Sequence, residues 1–200
     1  MLARSGAIPA GPGWSFEPKL DGFRCLVCSH AGFRARSRRG WDMSHLVPEF
    51  RRGLPSGLQL DGELVSLDPE GRPDFHRLSS RLLHGRTGVP VLLFVFDLLA
   101  VEGLPTTMLS YAERRALLDQ LDLETNQVRL VATFEDGNAL FDAVCARGLE
   151  GVVAKRLRDP YRPGERRTGP RLDSPRSATA SAVGAGHRSS AVIATQKTEF

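Results

Sequence analysis

Leu58, Leu60 and Leu64 alternate with Asp61, Glu63 and Val65, a period of two that predicts a strand over 58–67 with carboxylates on its second face. The same reading gives strands over 33–37, 128–133 and 151–155, and a buried one around Val91-Leu92-Leu93-Phe94-Val95-Phe96 within 89–99. Residues 15–29 read as a strand pair turning at Asp21-Gly22. Helices are expected over 46–54, 75–83, 110–121 and 138–147. The third opens on Ser110-Tyr111-Ala112-Glu113, a capping box, and its inner stripe is expected to be Ala116, Leu117, Leu118 and Leu121. The fourth turns Leu140, Phe141, Val144 and Cys145 inward and stops at Gly148. Asp68-Pro69-Glu70-Gly71 is a turn. Residues 1–13 are a Gly/Pro-rich lead-in, 14–170 form the folded domain, and 171–200 lose all periodicity. Small residues dominate that last stretch, which is expected to stay disordered because it cannot bury enough apolar surface to offset ordering.

Composition narrows the class. A hydrophobic content of 41% over 200 residues supports one sizeable core. There is no apolar run long enough for a membrane and no signal-peptide core, so a cytoplasmic protein without membrane contact is expected. Residues 1–165 hold 21 basic and 21 acidic side chains. The net charge of +4 therefore comes from residues 166–200, with six basic against two acidic, and its hint of nucleic acid is weak. Cys25, Cys28 and Cys145 do not suit a disulfide framework. Cys25 and Cys28 fall on opposite faces of a strand and read as plain thiols rather than a metal or redox pair.

Only Lys19, Lys155 and Lys197 are lysine among 27 basic residues. Arginine does not lose its proton in proteins and lysine can, so a position kept as lysine is a candidate nucleophile. Lys19 can serve so, with Arg24 anchoring an anion or hydroxyls, or it can be a strand lysine paired with Glu17 or Asp21. Asp61 and Glu63 call for a cation, an arginine or water, or belong to a solvated face. Glu150 is a helix-end acid or a functional one. Phe94 and Phe96 share a strand face with Leu92, and either packs in the core or offers a ring to a base. P-loop, dinucleotide-fold, zinc-protease and nucleophile-elbow motifs are absent, and the five histidines show no ligand spacing.

The order of the pieces is more specific than any one of them. Lys19-x-Asp21-Gly22-x-Arg24, Ser37-Arg38-Arg39-Gly40, Leu60-Asp61-Gly62-Glu63-Leu64-Val65, Phe94-Val95-Phe96-Asp97-Leu98-Leu99 and Glu150-Gly151-Val152-Val153-Ala154-Lys155-Arg156 follow one another. Together, over about residues 1–170, they resemble the adenylation domain of ATP-dependent DNA ligases, bacterial and end-joining types above all. The resemblance implies an α+β nucleotidyltransferase fold, ATP-grasp-like, with antiparallel sheets flanked by helices. It implies a covalent enzyme of DNA repair and recombination, with ATP and Mg2+, acting on nicked or broken double-stranded DNA, with end-joining proteins as partners. Lys19 matches the lysine that takes AMP from ATP and passes it to a DNA 5′-phosphate. Glu17, Arg24, Arg39, Glu63, Phe96 and Lys155 match nucleotide-binding positions, Phe96 as the ring on adenine. Glu63 and Glu150 match metal-serving acids.

The likeness breaks at Thr168-Gly169-Pro170-Arg171-Leu172-Asp173-Ser174-Pro175, where the family has a strand with alternating lysines against the triphosphate. The expectation is a truncated or frameshifted end without an OB-fold domain, slower self-adenylation and weak or absent sealing. An inactive ATP- or DNA-binding remnant, and an RNA ligase or capping-type enzyme, are the alternatives.

Overall fold

A computed structural model describes residues 6–163, 171–173 and 194–195. Residues 1–5, 164–170, 174–193 and 196–200 lie outside the description, and with them most of the expected tail and Lys197. The chain divides into two compact units: the described parts of 1–20 and 132–200, and Asp21–Val131.

The first unit is built on β1 (Trp14–Lys19) paired antiparallel with β8 (Gly151–Arg156). Phe16 lies opposite Ala154, and Pro18 opposite Val152. Phe16, Val152 and Ala154 meet Leu140 and Val144 of α4 (Gly137–Ala146) in a small core. Asp136 caps α4 by accepting hydrogen bonds from Asn138 N and Ala139 N at 2.9 and 3.0 Å. Gly137 has no room for a side chain, since a Cβ there would meet the Phe16 ring at 2.5 Å. The other edge of β8 carries two short strands of the stretch expected to be disordered. β9 (Arg171–Asp173) runs antiparallel along Gly151–Val152, and β10 (Ala194–Thr195) parallel along Val153–Ala154.

The second unit is a six-stranded sheet. Its path runs β3 (Arg34–Ser37), β2 (Phe23–Cys28), β4 (Leu58–Val65), β5 (Leu92–Val101) and β6 (Leu104–Pro105), with β7 (Val128–Leu130) parallel to β5. Cys25, Val27, Leu60, Leu64, Leu93 and Val95 supply its buried side. The expected strand pair over 15–29 is divided: β1 and β2 join different sheets. Gly22 lies between them, and a Cβ on it would run into the Leu64 carbonyl oxygen. Gly22→Ala should therefore cost roughly 1–3 kcal/mol, read as a lower urea midpoint at unchanged slope.

The helices of the second unit are α1 (Phe50–Gly53), α2 (Phe75–Leu82) and α3 (Tyr111–Gln120). The capping box of α3 forms as expected, with Ser110 N donating to Glu113 at 2.8 Å. Its inner stripe differs from the expected one. Ala116 and Leu117 are exposed, and the buried positions are Tyr111, Arg114 and Leu118. Arg114 donates from Nε and Nη2 to the two Asp97 oxygens at 2.7 and 3.0 Å and from Nη1 to the Leu109 carbonyl at 2.7 Å. A charge on that stripe defeats an apolar count, because only the partner strand reveals its counter-ion. Arg81 of α2 works similarly, donating to the carbonyls of Leu46 and Thr87 at 2.8 and 2.7 Å and pairing with Glu49.

The cysteines are free thiols, Cys25 buried and Cys28 half-buried. Burial, reinforced by the charge of Asp61, pushes the Cys25 thiol up to about 12 from 9.0. The folded state thus holds this proton where the unfolded chain releases it. Its contribution to stability is whole below about pH 9 and is lost as pH rises from about 9 toward 12. Cys25→Ala should flatten that alkaline fall in a denaturant series across this range. An unchanged slope would show that the thiol ionises freely in the fold.

Candidate functional site

In the first unit, the β1–β8 pairing puts Phe16, Val152 and Ala154 against α4 and leaves Glu17, Lys19 and Lys155 on the opposite face. Lys19 lies across from Gly151. Its Nζ is in an ion pair with Oε1 of Glu150, the residue just before β8. Glu150 is therefore not a helix-end acid, and Lys19 is not an exposed strand lysine. Lys155 and Glu17 form a second pair, Nζ donating to Oε1 at 2.7 Å, and both residues are only 3% exposed. Burial of either charge without a close counter-ion would be costly, and the contact holds both side chains in place. The paired carboxylate also fixes the Lys155 ammonium on the same sheet face as Lys19.

In the second unit, Arg24, Glu63 and Phe94 lie side by side across β2, β4 and β5 on the face away from the core. Asp61 is fully buried beside them, contrary to a solvated strand face. Its oxygens accept a bidentate grip from Arg24, Nε to Oδ1 at 3.0 Å and Nη2 to Oδ2 at 2.6 Å. This fork holds the guanidinium plane in one orientation. The Arg24 guanidinium carbon is 5.6 Å from the Phe96 ring centre.

Phe96 owes its place to a break in the ladder. Asp61 pairs with Asp97 and the next residue, Gly62, with Val95, so Phe96 is the extra residue of a bulge. Gly62 permits the close approach, for a Cβ there would meet the Phe94 carbonyl oxygen at 2.7 Å. Phe94 and Phe96 are both half-buried, outside the core of this unit. Asp97 then anchors the strand behind the bulge, accepting from Leu98 N at 3.0 Å and from Arg114. Arg39 stands apart. It sits exposed in the turn closed by Gly40 N donating to the Ser37 carbonyl at 2.9 Å.

Among the described residues, no three His, Cys, Asp or Glu side chains gather as a metal cage. Magnesium usually takes one or two protein carboxylates and completes its shell with water and substrate phosphate. Glu63 and Glu150 are single carboxylates compatible with that mode, whereas both Asp61 oxygens are engaged by Arg24. Asp61, read as an acid in need of a cation, an arginine or water, finds Arg24, whereas Asp97 and Arg114 were missed as site-supporting residues. Their sequence signal was faint: an acid inside an apolar strand, and an arginine at helical spacing from Tyr111 and Leu118.

Comparison with known proteins gives the family and the fold. Residues 5–169 match the family described as the ATP dependent DNA ligase domain. The multifunctional non-homologous end joining protein LigD of Pseudomonas aeruginosa is 41% identical over 157 residues, covering 74% of this chain and 19% of that protein. The corresponding DNA repair protein LigD of Mycobacterium tuberculosis is 37% identical over 174 residues, covering 83% and 22%. The chain thus spans about a fifth of the length of these relatives. Among solved structures, the ligase domain of M. tuberculosis LigD superposes with a TM-score of 0.69 at 35% identity, over 78% of this chain and 51% of that one. A mycobacterial DNA ligase D complexed with ATP and MES gives 0.66 at 31%, over 92% and 54%. The fold is the nucleotidyltransferase type expected from the motifs, and the chain belongs to the ATP-dependent DNA ligase domain family.

Proposed function

We propose that this chain performs the nucleotide-activating chemistry of DNA joining, with Lys19 as the nucleophile. The observation that carries the proposal is the Lys19 amine, held on β1 against Glu150, in a chain of this family. In this reading the neutral amine attacks the α-phosphorus of ATP. The N–P bond forms as the bond to the bridging oxygen breaks, and pyrophosphate leaves with that electron pair. The amine surrenders a proton, so the Lys19–Glu150 pair must open or pass that proton on before the lone pair is free. AMP then moves from Lys19 to a 5′-phosphate at a nick or break, and a 3′-hydroxyl displaces it to seal the strand.

The other side chains take supporting roles. Phe96 offers its ring to adenine. Arg24, oriented by Asp61, and Arg39 bind the ribose and phosphate side of the nucleotide. Glu63 contacts the ribose, and Glu63 and Glu150, each within its own unit, are the acids that would serve Mg2+, whose chemistry is to offset charge on phosphate oxygens and leaving group. Glu17 lies at the adenine edge while it fixes Lys155, whose ammonium serves the α-phosphate region. End-joining repair is the pathway named for the LigD relatives, and it is proposed for this chain.

Incubation with ATP labelled at the α-phosphate and Mg2+, followed by a denaturing gel, tests the covalent step. Label should stay on the protein and leave in acid, as a phosphoramidate does. Thermal stabilisation by ATP with no adduct at any time would favour a binding remnant. Labelling by GTP in place of ATP would favour a capping-type enzyme.

A further inference from the structure

Three rings of the second unit, Phe23, Trp41 and Phe75, lie together where β2 begins. Phe23 and Phe75 stack, with centres 5.2 Å apart and planes 14° from parallel. Trp41 and Phe23 meet edge to face, at 6.4 Å and 68°. Phe23 alternates with Arg24 along β2, so it lies on the side of Cys25 and Val27 and packs against the core. Trp41 and Phe75 nevertheless stay 39% and 38% exposed. Rings left this wet forgo part of the burial that makes an aromatic stabilising, so core packing alone is a weak account of them.

Their places along the backbone supply a stronger one. β3 pairs with β2 only as far as Ser37 opposite Cys25. The chain then leaves the ladder in a turn with Arg38 and Arg39 at its centre. Ser37 N donates to the Trp41 carbonyl and Gly40 N to the Ser37 carbonyl, both at 2.9 Å. Trp41 N donates to Ser37 Oγ at 3.1 Å. These bonds shape the turn from within, and the Trp41 ring ties it to β2 through Phe23. Phe75, the first residue of α2, is a fixed post behind Phe23. Its neighbour Asp74 donates from N to the Ser66 carbonyl at 2.8 Å, just past β4, and caps the helix by accepting from Arg77 N at 3.0 Å.

We infer that Trp41 is a positioning residue for Arg39, held by the Phe23 and Phe75 rings, so that the turn presents this guanidinium to the ribose and phosphates of the nucleotide. Arg24 is oriented differently, by the Asp61 fork on its own side chain. Arg39 is exposed, and its reach depends on where the turn stands. An untied turn would spread a long cationic side chain over many positions and raise the ordering cost of binding. The inference rests on the nucleotide role proposed for Arg39, but its test does not require lysyl-AMP to form.

ATP binding to the full chain is measured by equilibrium dialysis without Mg2+, so that no adduct forms. Trp41→Ala should weaken binding about tenfold, the loss of one well-placed charge-assisted contact, and Phe75→Ala about threefold. Trp41→Phe keeps a ring against Phe23 and should retain most of the affinity. Arg39→Ala should weaken ATP by about as much as Trp41→Ala, and the double variant no further, because both act through one contact. With Mg2+, Trp41→Ala should raise the KM for ATP in Lys19 labelling while the maximal rate stays within about twofold. Rings that merely cap the core would lower Tm with ATP affinity unchanged, or weaken ATP additively with Arg39→Ala, and either result overturns the inference. Wild-type affinity in Arg39→Ala, or no ATP binding by the parent chain, overturns it as well. A parent that binds ATP and shows the non-additive pair but never carries AMP would sink the covalent chemistry and leave the role of Trp41 standing.

Discussion

Lys19→Arg should leave no detectable covalent AMP, a loss of at least about 1,000-fold in adduct formation. The substitution keeps a cation on β1 facing Glu150, so the ion pair and the local charge balance survive. What it removes is the ability to shed a proton and offer a lone pair, since guanidinium stays protonated throughout the working range. Lys19→Ala should lose the adduct equally but also leave Glu150 without its cation. Comparing the two isolates nucleophilicity from electrostatics. Both are read by labelled AMP on denaturing gels and by intact mass. Thermal melts confirm folding, and ATP-dependent stabilisation reports binding apart from chemistry. Persistent labelling of Lys19→Arg would move the nucleophile to another residue.

The second large effect is on stability. Arg114→Ala should cost about 3–5 kcal/mol, because it strands the Asp97 carboxylate in the core. That is a large share of the about 5–15 kcal/mol that holds a typical domain together. In a domain of this size each 1 kcal/mol moves Tm by roughly 2–4 °C, so a fall of about 10 °C is expected. Asp97→Ala should be of similar severity, with the guanidinium stranded instead. The double variant Asp97→Leu/Arg114→Met removes both charges and should recover much of the loss, the outcome that separates a desolvated pair from simple packing. Function should follow stability here for a local reason. Asp97 is the residue after Phe96 and anchors the strand behind the bulge, so even the recovered double variant should bind ATP more weakly than the parent. A single Arg114→Ala variant that melts with the wild type would rule out this anchoring.

Much of the secondary structure could be read along the chain. Period-two alternation over 58–67 and the Ser110–Glu113 box are local signals, set by neighbours one to four residues away, and the structure contains both. The family could be read too, because its five motifs are short, ordered and chemically particular. The helix at 46–54 shrank to Phe50–Gly53, and the ends of most elements moved by a few residues. Such ends depend on packing that no local window contains.

Residue order by itself determined which side chains could do chemistry: one lysine where arginine is the habit, acids within apolar strands, an aromatic before Asp97. Tertiary pairing alone decided how they are held. It sent β1 and β2 to separate sheets, buried Asp61 under Arg24, gave Lys155 to Glu17, and made Phe96 the surplus residue of a bulge. The physical reason is range. Propensity and periodicity act between neighbours, whereas an ion pair joining residues 138 apart, or a register slip between two strands, exists only after distant segments have met and excluded water.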